Sequence, residues 1–118
     1  MSPVSRANAE HYAWGQGCDG WHLLKDAGLS VIEERMPPGT AEVRHFHAQA
    51  RQFFYVLDGQ AELEVEGAVS LLQAGQGLHV APGQAHRMRN RGGTDARFLV
   101  ISSPRAHGDR HPAPENHA

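Results

Sequence analysis

The chain has 118 residues, of which 40% are hydrophobic and 7% aromatic, enough for one hydrophobic core and too few for two. Eleven Lys and Arg against thirteen Asp and Glu give a formal charge of -2, which provides no electrostatic pull toward nucleic acid or anionic lipid. A single cysteine, Cys18, excludes an intrachain disulfide framework and any cysteine-only zinc cluster.

Residues 1 to 20 are polar and glycine-rich, with Trp14, Gly15, Gly17, Gly20 and Trp21 spaced too irregularly for a defined helix or strand. They read as an N-terminal arm with aromatic anchors. From Leu29 to Ser102, short runs of β-branched and aromatic residues recur between turn signals such as Pro38-Gly39, Asp58-Gly59, Glu66-Gly67 and Pro82-Gly83. This rhythm predicts an all-β domain over residues 21–103, a sandwich or barrel of about seven or eight short strands. The clearest strand is Gln60 to Glu66, where Ala61, Leu63 and Val65 alternate with polar neighbours. Residues 104–118 carry three Pro and three His with no packing pattern, and are expected to form a loose C-terminal tail.

Nine histidines against one lysine is the compositional oddity, because imidazole is the commonest metal ligand and titrates near neutrality. Val43, His45 and His47 share one parity, so on a strand both rings project from the same face, roughly 7 Å apart. The four residues after His47 are about as long as a hairpin connection, which would return Gln52 beside them. Far along the chain, His86, Met88 and Asn90 share a face, and His86 can bring a third imidazole. Three imidazoles and one oxygen donor make a mixed site for a first-row divalent metal, with positions left for water or substrate. The plainer alternatives are buried histidines held by hydrogen bonds, and a Gln52 that donates through its NH2 without touching metal.

These residues resemble the cupins. The first cupin motif runs glycine, His-x-His, glutamate, glycine, and is matched by Gly39, His45, His47, Gln52 and Gly59, with Gln52 in place of the usual glutamate. The second is similar to Gly75, Ala81, Gly83, His86 and Asn90, with Ala81 where proline is usual and Pro82 next to it. The resemblance implies a small single-domain double-stranded β-helix, or jelly-roll barrel, binding one metal through His45, His47, Gln52 and His86. An amide oxygen is neutral, so the ion would keep its whole charge, act as a stronger Lewis acid and favour an anionic chelating ligand. Ligand type admits zinc, iron, nickel or manganese.

Three functions follow as expectations: Lewis-acid isomerisation or ketonisation of an anionic or polyol small molecule, dioxygenation at a redox metal, or sugar binding without turnover. Isomerisation needs an acid or base, and the inward face offers no identifiable carboxylate, so water, an arginine or a tail residue must serve. Catalytic residues are therefore unassigned. Phe54, Met88, Val43 and Phe98 are pocket-wall candidates, equally readable as core, while His79 is expected to point outward. The six arginines from Arg87 to Arg110 form either a solvated basic face or include one clamp for an anionic substrate. His107 and Asp109 can fold back as acid or base if the tail is ordered. Resemblance also implies a homodimer, with the N-terminal arm as the element to exchange. With no signal-like segment and no apolar run approaching the roughly 20 residues of a membrane span, a cytoplasmic protein with a small-molecule partner is expected, and no nucleic-acid or membrane partner.

Overall fold

The computed structural model describes residues 2–115, and it is built from strands. In chain order these are β1 (Glu10–Trp14), β2 (Cys18–Lys25), β3 (Ser30–Met36), β4 (His45–Phe46), β5 (Arg51–Asp58), β6 (Gln60–Val65), β7 (Ala68–Gln73), β8 (Gly77–Val80), β9 (His86–Arg89), β10 (Ala96–Ser103) and β11 (His111–Pro112). They form a six-stranded sheet in the order β1-β2-β3-β10-β5-β8 and a five-stranded sheet in the order β11-β4-β9-β6-β7. Every pairing is antiparallel. The all-β expectation holds, with eleven strands rather than seven or eight because both flanks contribute.

Period-two patterning sets which side chains meet between the sheets. On β5, Gln52, Phe54 and Val56 are buried while Arg51 and Phe53 are exposed, and on β10 the buried set is Ala96, Phe98, Val100 and Ser102. Met36, Phe54, Val56, Leu63, Met88 and Phe98 make the centre of the core, all 1% exposed or less. Phe54 and Phe98 meet with ring centroids 6.3 Å apart. His79 is exposed as expected. The β6–β7 hairpin closes through Glu66-Gly67, both at positive φ (51° and 87°), the conformation that a two-residue turn needs to follow strand twist. Gly59 is required for a different reason: a Cβ there would stand 2.3 Å from the Asp95 carbonyl oxygen.

Three local expectations change. The segment up to residue 20 contains β1 and the start of β2, which pair from Glu10↔His22 to Trp14↔Cys18 and extend the six-stranded sheet. The glycines that hide a strand pattern there fit the packing, since a side chain at Gly20 would strike the Tyr12 ring. Second, β4 and β5 are not a hairpin but lie in different sheets, so residues 48–50 cross from one sheet to the other. Third, the segment after β10 folds back. Asp109 accepts hydrogen bonds from the backbone N–H groups of Ala48, Gln49 and Ala50 at 2.8, 2.9 and 3.0 Å, and β11 then pairs with β4. These amides hold the Asp109 carboxyl down at about 2, well below the usual carboxylate range. Residues 116–118 of the expected tail lie outside the described residues.

Truncating the centre of the core should be costly and truncating the outer face should not. Phe98→Ala is expected to lose about 3–5 kcal/mol of unfolding free energy. Val69→Ala, at a position 52% exposed, should change it by less than about 0.5 kcal/mol, both read from urea midpoints at unchanged slope.

Candidate metal centre

His45 stands on β4, directly opposite His86 at the start of β9, and His47 follows one residue after β4 ends. Their ring centroids lie 4.4 Å (His45–His86), 5.0 Å (His45–His47) and 5.6 Å (His47–His86) apart. One nitrogen from each ring falls within 4.8 Å of the others, a spacing at which the three can hold a metal ion, and all three residues are buried.

Backbone carbonyls determine which nitrogen is free. The Nδ1–H of His45 donates to the Val43 carbonyl at 2.7 Å, that of His86 to the Gln84 carbonyl at 2.9 Å, and that of His47 to the Asp109 carbonyl. A carbonyl accepts only, so each Nδ1 carries a proton, and Nε2 is the nitrogen left to bind. Burial, the main cause, pushes His45 and His86 down to about 4, so both are neutral at pH 7. His47 Nε2 is buried with no hydrogen-bond partner among the described residues. Such an atom loses hydration without compensation unless something binds it.

Gln52 reaches the same point from the opposite sheet. Its amide nitrogen donates to the Ser102 hydroxyl at 2.9 Å, leaving Oε1 facing His86 Nε2 at 3.1 Å. A neutral His86 cannot donate from both nitrogens, so this contact sets two lone pairs against each other. A cation between them removes the conflict, as does an amide turned to present its NH2. The orphaned His47 nitrogen, the neutral imidazoles and this apposition together fit a divalent ion.

The cavity in front of the histidines has a volume of about 270 Å³. Phe54 and Ile32 supply apolar wall, and Ser30 and Ser102 supply hydroxyls. Val43, expected to share the metal-facing side, is instead 74% exposed and absent from this wall, because residues 42–44 leave the strand geometry on which parity depends. The segment after β10 closes one side with Arg105, Ala106, His107, Gly108 and Arg110. Of the six C-terminal arginines, Arg87, Arg89, Arg91 and Arg97 face Glu115, Glu62 (shared by two) and Glu33. Arg105 and Arg110 have no carboxylate partner among the described residues, and Arg110 makes only a 3.4 Å bond to the Val43 carbonyl. Asp109, considered above as an acid or base, is fully used as an anchor.

Two carboxyls that sequence reasoning missed line this cavity, Glu34 and Glu42. Glu34 shares β3 parity with Ile32 and Met36, a signal masked by the adjacent Glu33 and Arg35. Glu42 accepts the backbone N–H of Met88 at 2.9 Å, and Glu34 accepts the hydroxyl of Tyr12 at 3.2 Å. Burial and then the neighbouring Glu42 charge push Glu34 up to about 8, and burial raises Glu42 as well. Tyr12 is also raised, chiefly by burial.

Comparison with known proteins agrees with this architecture. A family profile described as Cupin domain matches residues 32–102, more than half of the chain. Polyketide synthase CurC of Streptomyces cyaneus is 37% identical over 79 residues, covering 67% of this chain and 49% of CurC. Tetracenomycin polyketide synthase protein TcmJ of Streptomyces glaucescens is 32% identical over 85 residues, covering 67% of this chain and 57% of TcmJ. The chain thus spans about half the length of these curated relatives. Among solved structures, the polyketide cyclase RemF from Streptomyces resistomycificus superposes with a TM-score of 0.83 at 18% identity, covering 99% of this chain and 88% of that one. At that identity the likeness concerns the fold.

The buried groups predict opposing pH effects in the metal-free protein. The unfolded chain binds protons at His45 and His86 that the folded chain refuses. Their contribution is therefore complete above pH 6.5 and lost as pH falls toward about 4. Glu34 keeps a proton that the unfolded chain releases, so its contribution is complete below pH 4.5 and lost as pH rises through about 8. Urea titrations across this range should show wild-type stability declining toward both ends, with Glu34→Gln flattening the decline above pH 6.5.

Proposed function

The chain belongs to the cupin family, and on that basis we propose that it is a metal-dependent enzyme acting on a small anionic molecule that chelates through oxygen. The reaction is loss of a proton beside a polarised carbonyl, leading to isomerisation, ketonisation or ring closure. The observation that carries this reading is the convergence of three buried imidazoles whose Nδ1 atoms are all tied to backbone carbonyls.

In this reading His45, His47 and His86 hold one divalent ion through Nε2, and Gln52 Oε1, oriented by Ser102, is the fourth donor. A divalent ion there supplies Lewis acidity, drawing electron density from a carbonyl oxygen of the bound molecule. All four donors are neutral, which suits an anionic ligand. Arg105 and Arg110, which form no ion pair among the described residues, are placed to pair with a ligand carboxylate at the opening, where a planar guanidinium gives two parallel hydrogen bonds. Residues 105–110 cover one side of the cavity and limit water there. The names of CurC, TcmJ and RemF belong to polyketide synthesis and cyclisation, which favours a ligand with neighbouring carbonyls and an acidic C–H between them.

Elemental analysis and calorimetric titration with zinc test the reading. Near-stoichiometric binding is expected, abolished in His47→Ala and weakened by about 10–100-fold in Asp109→Ala, which releases the loop holding the His47 Nδ1 partner. Iron as the bound metal with ligand-dependent oxygen uptake would replace the proposal with dioxygenation. Absence of any metal uptake would leave a binding module that returns its ligand unchanged.

A further inference from the structure

A second cavity, of about 340 Å³, adjoins the metal cavity and shares Tyr12, Glu34, Glu42 and Arg110 with it. Its remaining wall includes Trp14 and Val43. The two glutamates thus stand in the partition between the cavities, and Tyr12 from β1 reaches both. Neither carboxyl has an ion-pair partner among the described residues. Glu34 has the Tyr12 hydroxyl, Glu42 has the Met88 amide, and the titratable or charged groups that face them are Arg110 and, toward Glu42, His47 and His86. Two buried carboxylates that line the same two cavities with no ion-pair partner cannot both ionise cheaply, and protonation of one relieves the repulsion. A pair poised in this way beside a reaction cavity is the arrangement expected of a general acid and base.

We propose that Glu34 and Glu42 act as the acid–base pair of the metal cavity, one protonated and one ionised, with the Tyr12 hydroxyl holding Glu34 from the side of the second cavity. The inference rests on the carbonyl-activating reading above and supplies the proton-transfer group that reading needs. The ionised member of the pair removes a proton from the carbon beside the ligand carbonyl. The C–H bond breaks, its electron pair enters the new C–C double bond, and the carbonyl π pair moves to oxygen as the enolate. The proton completes the second carboxylic acid. Return of a proton to a different atom of the ligand gives the rearranged product and restores the singly protonated pair, with no oxidant or reductant required. The raised affinities of Glu34 and Glu42 for protons agree with this role.

The test uses the zinc-loaded full chain in D2O with pyruvate and acetoacetate as probes, following deuterium entry beside the carbonyl by NMR. Glu34→Gln and Glu42→Gln, which keep shape and remove the acid, should slow exchange by about 10²–10⁴-fold at unchanged zinc affinity. Tyr12→Phe removes a hydrogen bond that favours the ionised Glu34, so the midpoint of the rate's rise with pH should move upward. A packing role alone would not move that midpoint. Independently of turnover, infrared spectra of the metal-free protein at neutral pH should carry the carbonyl stretch of a protonated carboxylic acid, removed in the Glu34→Gln/Glu42→Gln double variant. Wild-type exchange rates in zinc-binding Gln variants would overturn the acid–base pair and leave the proposed function standing. Absence of the infrared band would overturn the protonated member of the pair. A zinc-binding wild type that exchanges neither probe would overturn the proposed function and this assignment with it.

Discussion

The site depends on three hydrogen bonds from imidazole Nδ1–H groups to backbone carbonyls. Each removes one of the two ring nitrogens from competition, sets the tautomer and leaves Nε2 as the donor atom. For His45 and His86 the acceptor is the residue two before in sequence, Val43 and Gln84, so the geometry comes from the local chain path. For His47 the acceptor is Asp109, which is 62 residues away. The barrel therefore positions two imidazoles by itself, and the third depends on the C-terminal segment being docked.

That docking explains the architecture around the opening. The Asp109 carboxylate accepts three consecutive amides of the chain crossing between the sheets, while its own carbonyl orients His47. Pairing of β11 with β4 fixes the same segment from its far side. Arg105, His107 and Arg110 consequently line the cavity, Arg105 half-buried and the other two still exposed. One residue thus joins the sheet crossing, the metal-facing imidazole and the cationic rim. The rim's positive charge faces a partition of two buried carboxyls, so the cavity separates a region suited to anions from one suited to proton transfer.

Much of the fold was legible because period-two alternation and turn chemistry are local. Ala61, Leu63 and the Glu66-Gly67 turn announce the β6–β7 hairpin, and Phe54, Met88 and Phe98 occupy the interior that their parity implies. The site was partly legible for the same reason, since His45 and His47 sit close in sequence and His86 lies in a recognisable second motif. Glu34 and Glu42 were not legible. A charged residue within a charged run reads as surface, and only the packing of β1 and β9 against them puts these carboxyls in a wall. The apparent hairpin before Gln52 failed because a four-residue connection fits a sheet crossing as well as a turn.

Strand parity and motif spacing are properties of neighbouring residues, and they already specify an all-β cupin barrel with three imidazoles and an amide of compatible spacing. The tertiary structure decides which nitrogen of His47 is free, which arginines lack an ion pair among the described residues and which carboxyls are buried around one cavity. Those properties arise between residues far apart in the chain, such as His47 and Asp109 or Tyr12 and Glu34. Desolvation and hydrogen bonding at such contacts set the chemistry, and both exist only once the two sheets and the C-terminal segment have closed around the cavity.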